Sequence, residues 1–429
     1  MIHPRWSYGA VLYEMNIRQL TSEGTIKAAQ ERLSFLRSLA IDVIWLMPVY
    51  PIGEEDRKGN LGSYYSIRDY CDINPEMGTL DDFDNFIAEA HRLGLRVILD
   101  WVANHTARDA RWVGEKPSNW YVRDQNGAPL VPWDWSDTAK LNYSNQDVWQ
   151  GQIEAMKFWV ERGVDGFRCD MAMLVPIEFW QRVAAELHKT KNDIFLLAEA
   201  EEHNLFDRAF DCCYGWDFHH LMVDVASGKR RADAIRDFLY RNAAEYPAWA
   251  MRMTFTSNHD ENSWQGRESE VFGDSLEIMR LLSFVAPYGM PLLYTGQEVG
   301  YDHSFEFFDR DPIPDQYYRA NETTAFYRKL IDIKHSCDSL AAGERGGMWT
   351  TISNNAKDCL LVLVRENTND RVVAILNLSP YDIECNYDTG IYAGDYIDAI
   401  NGGEYTLPRF VDEPMKGWSY KLLTLHKTQ

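Results

Sequence analysis

The chain has 429 residues, 45% hydrophobic and 25% charged, a composition that suits a soluble globular protein of two or three domains. Its net charge of −22 argues against nucleic acid or an anionic membrane as a partner, and no stretch is long and apolar enough to span a bilayer. Seven scattered cysteines without metal-ligand spacing, and an N-terminus without an apolar leader segment, predict free thiols in a cytoplasmic protein.

Short β-branched runs alternate with amphipathic stretches along most of the chain. Ala10–Ile17 predicts a strand, residues 25–39 a helix of 3.6-residue period, and Ile41–Met47 a second strand. Leu80–Leu93 predicts a helix stopped by Gly94, and Leu95–Trp101 a third strand. The series continues with helix 146–162 before Gly163, strand 164–168, helix 178–189 and strand 194–198. Strand 210–214, helix 231–241, strand 252–256, helix 275–285, strand 291–294 and helix 322–335 complete it. Eight strands, each followed by a helix, predict an α/β fold of the (β/α)8 TIM-barrel class.

Two stretches depart from that alternation. Residues 105–144, after the third strand, lack clean periodicity and hold Trp112, Trp120, Trp133 and Trp135. That length exceeds an ordinary loop and predicts an inserted subdomain with the tryptophans as its core. After the last helix the pattern becomes short strands broken by turns such as Asn401-Gly402-Gly403, which predicts a C-terminal antiparallel β-sandwich domain. The expected division is barrel 1–104, insert 105–144, barrel 145–346 and β-domain 347–429.

In such barrels chemistry gathers at the C-terminal ends of the strands. There the sequence has Asp100 and Asn104-His105 after the third strand, Arg168 and Asp170 ending the fourth, Glu199 the fifth, and His259-Asp260 following the seventh. Side chains alternate along a strand, so Arg168 and Asp170 share a face, and the guanidinium favours an ionised Asp170. Negative charge from Asp170 and Asp260 is expected to keep Glu199 protonated, as a general acid needs. Three such carboxylates in one barrel make a glycosidase site.

The chain resembles the alpha-amylase family, glycoside hydrolase family 13, over essentially its full length. Asp100 to His105 matches D-x-x-x-N-H, Gly166 to Asp170 matches G-F-R-x-D, and Asn258-His259-Asp260 matches N-H-D. Glu199 falls where the family's general acid does; residues 45–51, 289–291 and 296–298 match flanking segments. The resemblance implies double displacement with retention: Asp170 as nucleophile, Glu199 as acid/base, and Asp260 as transition-state stabiliser. It further implies substrate contacts from Tyr65, His105, Arg168 and His259, with Asp100, Asn104 and Lys140 in support. The implied substrate is an α-1,4-linked maltooligosaccharide or starch fragment. Neopullulanase-like, α-glucosidase and 4-α-glucanotransferase activities share the same residues, and a non-catalytic glycan-binding relative is the reading from another class.

Several positions depart from the family pattern. Met171 to Leu174 replace a Lys-His pair that contacts sugars beyond the cleavage point in many members. Lys140 stands where relatives have an acidic residue supporting calcium near Asn104, so no calcium and no other cofactor is expected there. Asp309 and Arg310 follow the eighth strand, where relatives hold substrate-gripping residues.

Overall fold

A computed structural model describes residues 3–427. Eight parallel strands, β1 (Leu12–Met15), β2 (Val43–Leu46), β3 (Arg96–Val102), β4 (Gly166–Asp170), β5 (Phe195–Ala198), β6 (Cys212–Tyr214), β7 (Met251–Thr254) and β8 (Gly289–Tyr294), close into a barrel. Their order round the barrel is β1-β8-β7-β6-β5-β4-β3-β2, as expected of a TIM barrel. Contacts divide the chain into two compact units. One spans Leu12–Tyr214 and Tyr294–Ala320; the other comprises Trp6–Val11, Gly215–Leu293 and the chain from Asn321 onward.

In the first unit, helices α1 (Ile26–Ser38), α2 (Leu80–Arg92), α3 (Gln146–Glu161) and α4 (Ile177–Thr190) follow β1 to β4. Their ends obey local chemistry. Thr79 accepts from the Asp82 backbone N–H while the Asp82 carboxylate accepts from the Thr79 N–H, a reciprocal capping box opening α2. Gly163, at φ +104, ends α3 in a backbone region closed to most side chains. Gly166 opens β4 because a Cβ there would collide with the Phe195 carbonyl oxygen of β5. Any larger residue would push the two strands apart.

One expectation is corrected. No α-helix joins β5 to β6; a single 3-10 turn at His203–Phe206 does. Two helices instead follow β6, α5 (Trp216–Ala226) and α6 (Ala232–Glu245), of which the sequence pattern predicts only the second. The insert carries a short antiparallel ribbon, His105–Ala107 against Thr138–Lys140. Its core holds Trp120, Tyr121, Ala139, Leu141 and Val148, with Trp112 packed on it. Trp133 is not among them: 61% of its surface is exposed.

In the second unit, β7 and β8 pair in parallel, α7 (Leu276–Val285) and α8 (Glu322–Ser336) flank them, and the β-domain follows. Six of its strands form one sheet, β9 (Met348–Thr351), β10 (Leu360–Glu366), β11 (Asp370–Asn377), β16 (Tyr420–His426), β13 (Gly394–Asp398) and β14 (Glu404–Leu407) in that spatial order. Strands β12 (Ile383–Asp388) and β15 (Phe410–Met415) pair as a second sheet. Val362, Val373 and Ile375 from the first share one buried cluster with Cys385, Tyr387 and Val411 from the second, which makes the domain a sandwich. Arg365 donates to the Val285 and Ala286 carbonyls at 3.1 and 3.0 Å, so a buried cation caps the C-terminal end of α7.

Candidate active site

Strand register assembles the site in the first unit. Asp100 of β3 lies opposite Arg168 of β4, and Val102 opposite Asp170. Cys169 lies opposite Ala198, so Glu199 follows at the level of Asp170. The Glu199 backbone N–H donates to the Cys169 carbonyl at 3.0 Å and extends that ladder past the last paired residue. Alternation turns Arg168 and Asp170 to one face and sends Phe167 to the other, against the Trp101 ring.

Arg168 is the hub. Its Nη1 lies 2.9 Å from Asp100 and 3.4 Å from Asp170, while Nη2 lies 2.8 Å from Glu199. Nε donates to the Tyr214 hydroxyl at 3.1 Å, and the guanidinium carbon sits 5.1 Å from the centre of the Trp45 ring. Burial alone would drive its proton off; the Asp100 and Glu199 carboxylates reverse that and hold its pKa well above the ordinary arginine value. Asp100 in turn accepts from Trp45 Nε1 and the Tyr65 hydroxyl, both at 3.2 Å. Sequence alone assigns Arg168 to Asp170, yet its shorter contact with the two strand-end carboxylates is to Glu199. Long-range register, invisible in one chain, decides that.

Glu199 is also fixed by the backbone. The Met171 N–H donates to its Oε2 at 2.7 Å. Met171 adopts φ 42, ψ 47, a left-handed conformation costly for a side chain of its kind, immediately after Asp170. The turn that ends β4 therefore aims one backbone donor at the neighbouring strand's acid.

Around this cluster the other expected residues gather unevenly. The Tyr65 ring lies parallel to Phe307, with centroids 6.4 Å apart, while its hydroxyl reaches Asp100. His105 is buried, and that burial lowers its imidazole pKa to about 4, so at neutral pH it is an uncharged hydrogen-bonding group. Asn104 Nδ2 meets His105 Nδ1 at 3.2 Å, and the Tyr70 hydroxyl fixes the loop by donating to the Val102 and His105 carbonyls. Lys140 pairs with His105 across the ribbon. A lysine ammonium cannot ligate a cation, and the described residues contain no group of three or more His, Cys, Asp or Glu side chains arranged to hold a metal. Lys140 therefore contributes no ligand to a calcium ion at Asn104. Asp309 accepts from Asn60, and Arg310 lies against Gly24.

The second unit carries the segment after β7. His259 Nε2 lies 3.4 Å from Asp260, whose side chain is about one-third exposed while His259 is buried. Asn258 accepts from the Glu261 N–H at 2.8 Å and opens a short turn in which Glu261 pairs with His219 at 3.0 Å. Trp264, just beyond, is exposed. Among residues that the sequence reading passed over, Tyr214 and Phe307 stand out. Tyr214 could have been found, since it ends β6 as Asp170 ends β4; Phe307 lies in a long loop with no such marker.

A protein-family model described as the alpha-amylase catalytic domain matches residues 13–138 and 115–328. An alpha-amylase of Haloarcula japonica is 28% identical over 94% of this chain, which spans 61% of that relative's length. An alpha-amylase of Dictyoglomus thermophilum is 26% identical over 91% of this chain and 89% of its own. Among solved structures, a maltogenic alpha-amylase from Thermotoga neapolitana superposes with a TM-score of 0.88 at 29% identity, covering 99% of this chain and 100% of that one. An alpha-amylase from Lactobacillus plantarum gives 0.87 at 28% identity, covering 98% and 99%.

Proposed function

The chain belongs to the alpha-amylase family, and from that membership we propose that it is a retaining hydrolase of α-1,4-linked glucans. The observation that supports this most is the cluster itself. Asp170 and Glu199, nearly buried at the ends of adjacent strands, share Arg168, and Met171 holds Glu199 by a backbone bond. A buried cluster with three carboxylates and one cation is a poor choice for stability alone.

In the proposed mechanism Asp170 attacks the anomeric carbon as the glycosidic bond breaks, and Glu199, whose Oε2 faces Arg168 and accepts from the Met171 N–H, gives a proton from Oε1 to the departing oxygen. Arg168 keeps Asp170 ionised and its Oδ1 oriented. Glu199, now a carboxylate, takes a proton from water, whose oxygen displaces Asp170 and restores the α configuration. Retention of this kind sets about 5–5.5 Å between the two carboxyl groups. Asp260 and His259 grip ring hydroxyls and favour the distorted, oxocarbenium-like ring. Neutral His105 donates one hydrogen bond to the same ring without adding charge, and Tyr65, backed by Phe307, lies beneath it. Seven free thiols suit a reducing cytoplasm.

Digestion of maltoheptaose and pullulan by the wild type beside Asp170→Asn tests the reading. It predicts short α-anomeric maltooligosaccharides from the wild type and none from the variant. Products longer than the substrate would make it a 4-α-glucanotransferase, glucose alone an α-glucosidase, and panose from pullulan a neopullulanase-like enzyme. No turnover of either substrate would mean that the substrate class is wrong or that the chain is a glycan-binding relative.

A further inference from the structure

The insert's four tryptophans fall into two pairs with different surroundings. Trp112 and Trp120 meet edge to face at 5.2 Å in the insert's apolar core. Trp133 and Trp135 form a second pair, 4.8 Å between ring centres, outside that core. Trp135 continues inward to His105, 5.2 Å away, so three rings run from the buried imidazole to an indole that is 61% exposed.

The backbone makes this placement harder to attribute to chance. Trp133 has φ 49, and the Trp135 N–H closes a turn on the Pro132 carbonyl across it. Glycine or asparagine is the ordinary residue at such a position, because a Cβ there is crowded. A bulky side chain in this conformation, without burial to compensate, marks a position held for another purpose. The segment is also braced. Lys58 donates to the Asp134 carbonyl at 3.2 Å, Ser66 to the Asp137 carbonyl at 2.9 Å, and Thr138 to the Trp135 carbonyl at 2.8 Å. An exposed indole on a tethered turn is a preorganised flat apolar surface.

We infer that Trp133, oriented by Trp135, is a platform for a glucosyl ring at least one unit removed from the ring that His105 contacts. This rests on the proposed α-glucan substrate. The ligand class follows from the shape and charge of the surface. A pyranose presents a flat face of C–H groups that an indole can cover, with its hydroxyls left at the edge for water or peptide groups. The flanking, exposed Asp134 adds negative charge, and a neutral sugar tolerates that where an anionic ligand would not.

The consequence is a dependence on chain length. With Trp133→Ala, kcat/KM should fall about tenfold on maltoheptaose and much less on maltose or an aryl α-glucoside, because only the longer substrate reaches the platform. Trp133→Phe, which keeps a ring, should recover most of the loss. Binding is read separately by calorimetric titration of maltoheptaose into Asp170→Asn and into Asp170→Asn/Trp133→Ala, where the second should bind several-fold more weakly. An equal loss on all lengths, or unchanged maltoheptaose kinetics and binding, would overturn the inference. Wild type that cleaves no α-1,4-glucan would refute the proposed reaction alone; the titration would still decide the platform.

Discussion

The two ends of β4 hold opposite charge balances on the same short strand. Asp165, one residue before it, is a single fully buried carboxylate surrounded by His91 at 2.8 Å, Arg96 at 3.0 Å and Lys191 at 2.7 Å. It also accepts from the Val97 N–H of β3 at 2.8 Å. Burial works to raise its pKa, but the bonds from His91 and Lys191 outweigh that and hold it at about 2. At the other end Arg168 is a single cation facing Asp100, Asp170 and Glu199. At the N-terminal end three basic side chains converge on one buried carboxylate, with the more exposed Asp193 3.8 Å from Arg96, and tie β3, β4 and the helices below them together. Surplus carboxylate at the C-terminal end is, in the proposed mechanism, what does the chemistry, at some expense in stability. A buried ion cluster is thus informative about function only through its sign balance.

Breaking each end separately should give opposite signatures. Asp170→Asn has the largest expected effect: kcat should fall by about 10⁴-fold or more, with the melting temperature unchanged or raised, because one of three crowded carboxylates is gone. Steady-state kinetics beside calorimetry measures both. Arg168→Met should lose activity and also about 3–5 kcal/mol of stability, since it leaves three buried carboxylates without their cation. An Arg168→Met variant as stable as wild type would refute the hub. Asp165→Asn should do the reverse of Asp170→Asn. It costs about 2 kcal/mol, discounted for the partly exposed Arg96 and His91, and leaves kcat of the folded protein unchanged. Chemical denaturation with parallel assays separates the two.

The smallest effect is in pH. Asp165 has a folded pKa of about 2 against an ordinary 3.8, a depressed value. Its stabilisation is therefore complete above about pH 4 and disappears as the pH falls towards 2. That drop of nearly two units amounts to about 2 kcal/mol. The stability gap between wild type and Asp165→Asn should shrink across this window when urea midpoints are compared at several acid pH values. A gap independent of pH would mean that Asp165 acts through shape alone.

Much of the barrel is legible in the sequence because its strands are short buried runs and its helices carry a periodic stripe and caps. The strand ends disclose Asp100, Arg168, Asp170 and Glu199 for the same reason: alternation fixes their faces. What is not legible depends on contacts distant in sequence. Helix α5 reads Trp-Asp-Phe-His-His-Leu-Met-Val-Asp-Val-Ala, apolar on several sides, and begins after Gly215 with no side-chain cap to announce it. Strand β15 contains Pro414, a residue that argues against a strand unless the strand lies in a small two-stranded sheet, as it does here. Nothing local separates Trp133 from Trp120; only the folded insert shows which one lies in the core.

Covalent trapping decides whether Asp170 is the nucleophile of a retaining site. A fluorinated α-glucosyl fluoride that forms the glycosyl-enzyme faster than it is hydrolysed should add one sugar to the protein, and peptide mapping by mass spectrometry should locate it on Asp170. A label on Glu199 or Asp260, or turnover of the reagent with inversion and no label, would contradict the account.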